Sequence, residues 1–111
     1  NDTLAAIVAT SVKADLLILL SDIDGLYTSD PHKNKDAKLI PVVNKIDESI
    51  IALAGGIGSS LGTGGMQTKI HAAQMCFKAG CDMVITNGSK PMDIYDIIDG
   101  KNVGTKFTEK K

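Results

Sequence analysis

Apolar residues along this chain fall into short blocks separated by glycine, proline and charged punctuation. The first block places Leu4, Val8 and Val12 at helical spacing and predicts a helix from the first residues to about Lys13, with those three on its buried side. Ala14-Asp15 turns the chain into Leu16–Leu20, an unbroken apolar run that reads as a central parallel strand covered on both faces. Thr28 to Asn44 is polar and broken by Pro31 and Pro41, with Leu39, Ile40 and Val42-Val43 offering a short edge strand. Ile46 to Leu53 fits a short helix, and Ala54 to Ser60 is flexible by composition. Met66, Ile70, Ala73 and Phe77 then repeat at helical spacing, and Gly80 is placed to cap that helix. A second buried strand, Met83–Thr86, ends at Asn87-Gly88. Pro91–Ile98 gives another short helix stopped near Gly100, and Val103–Phe107 a last strand before the charged tail. Helices alternating with apolar strands in this order predict a three-layer α/β/α domain with a mainly parallel sheet.

Composition narrows the function classes. With 111 residues, 43% of them hydrophobic and a formal net charge of -1, the chain is neither disordered nor suited to coating nucleic acid. No apolar run approaches the ~20 residues of a membrane span. The chain opens on Asn1-Asp2 and a helix, without a Met or a basic-then-apolar leader, which suggests a segment excised from a longer protein. Cys76 and Cys81 bracket a helix end without metal spacing and read as buried free thiols of a reducing cytosol. His32 and His71 stand alone, so no side-chain metal site is expected.

The densest chemistry lies at Gly62-Thr63-Gly64-Gly65-Met66-Gln67-Thr68-Lys69, where three glycines within four positions feed a helix start. Free N–H groups and the helix dipole favour an anion there, and Lys69, about one turn in, leans back toward it. A phosphate is the natural guest, although a plain turn with a solvated lysine fits the same local pattern. The Gly-Lys-Ser/Thr ending of the common phosphate loop is absent. The dinucleotide fingerprint fails too, because Gln67 stands where its last glycine would be. The loop Ser21-Asp22-Ile23-Asp24-Gly25-Leu26-Tyr27 follows the first strand, at the carboxyl end where open α/β sheets bind ligands. Asp22 and Asp24 could orient a sugar hydroxyl, a base or a metal-bound water, or form an ordinary Asp-Gly turn. Asn1 and Asp2 could cap the first helix.

Taken together, the Ser21–Pro31 motif and the Gly62–Lys69 motif in this order resemble the glutamate 5-kinases of the amino acid kinase superfamily. The resemblance extends from Asn1-Asp2-Thr-Leu to Val103-Gly104-Thr105. It implies a partial amino acid kinase-like fold, residues 1–111 being the nucleotide-binding C-terminal part of a kinase domain whose N-terminal half is absent. It further implies that Asn1 hydrogen-bonds the substrate glutamate and that Asp2 organises the catalytic lysines. Ser21 and Asp22 would contact the nucleotide, as would Thr63, Gly64, Gly65, Met66, Gln67, Thr68 and Lys69, with Lys69 bridging the transferring phosphoryl group.

The implied reaction is ATP-dependent phosphorylation of the γ-carboxylate of L-glutamate, the first step of proline synthesis. Mg²⁺ would be held mainly through the nucleotide phosphates. Phosphoryl transfer needs positioning and charge stabilisation rather than a protein nucleophile, which suits lysines and glycine loops. A cytoplasmic homo-oligomer acting on small molecules, with no membrane and no nucleic acid bound by this segment, completes the expectation. Missing from these residues are the upstream glycine-rich turn, a second lysine for the γ-phosphate and most acceptor contacts, so the segment alone is expected to be inactive. Aspartate, acetylglutamate or uridylate kinases, or a non-catalytic nucleotide-binding module, are the alternatives.

Overall fold

Among the described residues, four strands form one sheet in the order β1-β3-β4-β2, where β1 is Leu16–Ser21, β2 Val42–Val43, β3 Asp82–Asn87 and β4 Thr105–Phe107. The computed structural model describes residues 2–29, 33–56, 65–89 and 91–109. β1 and β3 run parallel in register from Leu16 opposite Asp82 to Ser21 opposite Asn87. β2 and β4 are also parallel, while β3 and β4 pair antiparallel, so the sheet is mainly parallel as expected. The helices are α1 (Asp2–Ser11), α2 (Glu48–Gly56), α3 (Gly65–Ala79) and α4 (Met92–Ile98).

Alternation along β3 sorts the layers. Met83 and Ile85 join a core with Ala6, Leu19, Met66, Ile70, Ala73, Cys76 and Phe107, under α1, α2 and α3. Val84, on the opposite face, lines a small cavity with Ile97 of α4 and Leu16. Helices therefore cover both faces, the three-layer arrangement expected from the pattern.

Two expectations need correction. Leu4, Val8 and Val12 are exposed, while Ala6 and Ala9 are buried and Ala5 packs against the core. The seam of α1 that meets α3 is made of small side chains, which let two helices approach closely, and the larger apolar residues point away. β1 is not central either. Among the described residues it lies at one end of the sheet, and its Leu20 is 54% exposed.

Helix ends follow local chemistry. Asp47 precedes α2 and accepts the Ser49 and Ile50 N–H groups at 3.1 and 3.2 Å, an N-cap. These hydrogen bonds and the Ser49 hydroxyl hold its carboxyl below the usual carboxylate range. At the other end of α3, Gly80 N–H reaches the Phe77 carbonyl at 3.2 Å and Cys81 N–H the Cys76 carbonyl at 2.8 Å, with Gly80 at φ 75°. This is the Schellman pattern, in which the sixth residue commonly packs on the first. Cys76 and Cys81 are that pair, both buried and free. Burial, then the neighbouring Cys81, pushes the Cys76 thiol up to about 12. The same two bonds close α4 at Gly100 and α1 at Lys13. Lys13 holds φ 56°, which a side chain disfavours.

Candidate functional site

α1 leads into the start of β1 and α3 into the start of β3, each helix running back along the strand it precedes. Both helix N-termini therefore lie at the edge where β1 and β3 end, beside the loops that follow those strands. Asp2 heads the α1 seam that continues through Ala5, Ala6 and Ala9 at helical spacing. Lys69 heads the matching α3 seam through Ala72, Ala73 and Cys76. Because the seam is built of small residues, the two side chains at its top can meet.

They do. Lys69 Nζ donates to Asp2 Oδ2 at 3.1 Å, with the side chains 15% and 21% exposed. The Thr68 hydroxyl lies 2.9 Å from the same oxygen and 3.0 Å from the Gly65 carbonyl, so its single proton is shared. Among the described residues, Asp2 engages one of the three ammonium N–H groups. At 3.1 Å the gross attraction is about 5 kcal/mol at an effective dielectric of ~20. Partial burial and loss of hydration reduce the net value. What the pair secures is the direction of the ammonium, aimed at the start of α3, where positive dipole and free N–H groups already favour an anion.

The second cluster lies beyond β1. Ser21 and exposed Asp22 are adjacent, with Ile23 N–H donating to Ser21 Oγ at 3.3 Å. Asp24 is held by the Asn87 amide and the Tyr27 hydroxyl, and Gly88 N–H donates to the Ser21 carbonyl at 2.9 Å. The base of this loop is locked on β4. Thr105 Oγ1 accepts Leu26 N–H at 2.9 Å and donates to the Ile40 carbonyl at 2.6 Å. Gly25 has to be glycine there, because a Cβ would fall 2.5 Å from that hydroxyl oxygen.

A family profile described as the amino acid kinase family matches residues 1–87, which include both loops and both helix N-termini. The chain belongs to the amino acid kinase family. Among curated relatives in this family, the glutamate 5-kinase of Clostridium tetani is 56% identical over 96% of this chain. That of Clostridium acetobutylicum is 57% identical over 99%. The chain spans only 40% and 41% of those two proteins. Among solved structures, a uridylate kinase from Archaeoglobus fulgidus superposes with a TM-score of 0.72 at 21% identity, covering 96% of this chain and 46% of that one. An isopentenyl phosphate kinase from T. acidophilum gives 0.68 at 24% identity, over 96% of this chain and 38% of its own. At such identity these two speak for the amino acid kinase fold alone.

Of the residues expected at the site, the structure brings Asp2, Thr68 and Lys69 together and sets Ser21 at the end of β1 with Asp22 just beyond it. Gly65 opens α3 and Gln67 is exposed. Met66 is 4% exposed and faces the core, so only its backbone can serve a ligand. Asn1, Thr63 and Gly64 lie outside the described residues. Sequence reasoning assigned Thr68 to the nucleotide and missed that its hydroxyl also braces Asp2. It also read Asn87 only as a strand end; the signal available was a polar amide closing a buried strand beside the Asp24 loop. Among the described residues no three His, Cys, Asp or Glu side chains group for a metal. No helix among them is long and apolar enough to cross a membrane. An open groove of about 420 Å³ runs along Asn44, Lys45, His71, Gln74, Lys78 and Glu109, and none of these belongs to the Asp2–Lys69 cluster.

Proposed function

We propose that this chain is the nucleotide-binding C-terminal part of a cytoplasmic, ATP-dependent glutamate 5-kinase. Its product would be L-glutamyl 5-phosphate, the first intermediate of proline synthesis. The observation that carries the reading is the Asp2–Lys69 pair, 3.1 Å apart at the mouth of a helix N-terminus, in a chain more than half identical to proteins named glutamate 5-kinase. The γ-carboxylate of glutamate is ionised at neutral pH, so the acceptor needs no general base. What the reaction requires is relief of repulsion between two anions, which a directed ammonium supplies. Asp2 holds Lys69 in place and Thr68 holds Asp2, while Ser21 and Asp22 take the nucleotide at the same end of the sheet. Asn1 would bind the glutamate. Mg²⁺ would arrive on the nucleotide phosphates and neutralise charge there.

The test uses a full-length protein carrying this segment, supplied with ATP and a panel of glutamate, aspartate, N-acetylglutamate and uridylate. Glutamate-dependent ADP release with trapping of the acyl phosphate as a hydroxamate is the expected outcome. Turnover of another acceptor in preference to glutamate would move the protein to a different member of the family. The 111-residue chain alone should show no turnover.

A further inference from the structure

Two polar side chains join the loops that follow β1 and β3. Asn87 Nδ2 donates to Asp24 Oδ1 at 3.1 Å, and the Tyr27 hydroxyl donates to Asp24 Oδ2 at 3.3 Å, so both carboxylate oxygens are engaged. The other end of the Asn87 amide is occupied as well, since its Oδ1 accepts Ser89 N–H at 2.9 Å. These partners fix which way the amide faces. Immediately beside the contact, Gly88 N–H holds the carbonyl of Ser21. The clasp thus ties the last residue of β3 to the loop that carries Ser21 and Asp22.

We propose that Asp24 and Asn87 are a positioning pair that sets the Ser21–Asp22 loop for the nucleotide. This rests on the nucleotide site proposed for that loop. A purely structural role is the competing explanation, and the geometry argues against it. Asp24 is exposed and belongs to none of the buried core residues. The loop is already anchored to the core through Leu26, whose N–H goes to buried Thr105 and whose carbonyl accepts Ile40 N–H at 2.8 Å. Loss of the clasp leaves that anchor and the Gly88 N–H bond to the Ser21 carbonyl in place, and frees only the turn between them that carries Asp22. Tyr27 gives a local report, because burial and then the Asp24 charge raise its phenol above the ordinary tyrosine value.

The experiment exchanges the two groups. Asn87→Asp alone sets two carboxylates against each other. Asp24→Asn combined with Asn87→Asp restores one amide-to-carboxylate hydrogen bond, keeps an acceptor for Tyr27 and for Ser89 N–H, and conserves net charge relative to wild type. In the full-length protein, Asn87→Asp should raise the KM for ATP about tenfold, as expected for partners in one network. The KM for glutamate and the melting temperature should hardly move. The exchanged pair should return the KM for ATP to within about threefold of wild type, a recovery that independent sites would not show. Asp24→Asn should lower the Tyr27 phenol pKa in an absorbance titration, with exposed Tyr95 as the internal reference. An unchanged KM for ATP in Asn87→Asp, or no recovery in the exchanged pair, overturns the proposal. A full-length wild type that is inactive on glutamate rejects the kinase reading instead, and calorimetric titration of MgADP into the same variants then carries the test. A wild type that binds no MgADP removes the site and the clasp's role together.

Discussion

Replacing Lys69 by alanine in the full-length protein separates a phosphate-directed ammonium from a surface lysine. The perturbation removes a cation held 3.1 Å from Asp2 while leaving the Thr68 hydroxyl on the same carboxylate oxygen. A unit charge about 4 Å from a phosphoryl oxygen contributes about 4 kcal/mol at an effective dielectric of ~20. At 1.36 kcal/mol per factor of ten, its loss should lower kcat by roughly 10³-fold. The stability term is smaller. The ion pair is only partly shielded, so its removal should cost about 1 kcal/mol, or roughly 2 °C in the melting temperature of the longer, full-length protein. Lys69→Arg should recover little activity, because a planar fork does not replace a compact ammonium whose direction is set by one carboxylate oxygen. Hydroxamate trapping gives kcat, and calorimetry gives the melting temperature. A kcat for Lys69→Ala within about threefold of wild type would refute the charge argument. A fall in kcat matched by global unfolding would show that the pair serves the fold instead.

Other outcomes follow from the same geometry. Asp22→Ala in the full-length protein should raise the KM for ATP more than that for glutamate, and steady-state kinetics showing the reverse would move this loop to the acceptor side. Gly104→Ala should destabilise the 111-residue chain severely in urea unfolding, since the residue sits at φ 68° and a Cβ would overlap the Ile85 carbonyl oxygen. Lys13→Gly should instead stabilise it by about 1 kcal/mol, because only the side chain opposes the left-handed turn that closes α1. Cys76 predicts an alkaline trend. Its thiol titrates near 8.5 when unfolded and is pushed up to about 12 when folded, so the unfolded state loses its proton first. The contribution is whole below pH ~8.5 and falls away toward pH 12, and Cys76→Ala should flatten that slope in denaturant titrations.

Much of the fold was legible because local chemistry and tertiary demand agreed. The α3 stripe of Met66, Ile70 and Ala73, the Gly80 turn and the apolar β3 run all do in the structure what their spacing and torsional freedom require. Glycines and the dipole at the start of α3, with Lys69 one turn in, raised the expectation of an anion site from the same kind of information: torsion, dipole and side-chain direction are properties of a short segment. The two motifs also carried the family, since their residues and order survive in the sequence alone.

Tertiary structure decided what depends on partners far along the chain. Hydrophobicity pointed to Leu4, Val8 and Val12 as the buried face of α1, whereas close packing against α3 selected the alanines. That choice brings Asp2 to Lys69 across 67 positions of sequence. It also gave the Thr68 hydroxyl a bond to Asp2 that no local pattern announces. Which neighbour β1 takes, β3 on one side among the described residues, is likewise a matter of which strands pair, which an apolar run cannot state. Asn87 and Asp24 meet across 63 positions because parallel pairing of β1 and β3 ends both strands at one edge. Composition and spacing specify what each segment can do. Only the register of the sheet and the size of the seam residues determine which side chains share a site.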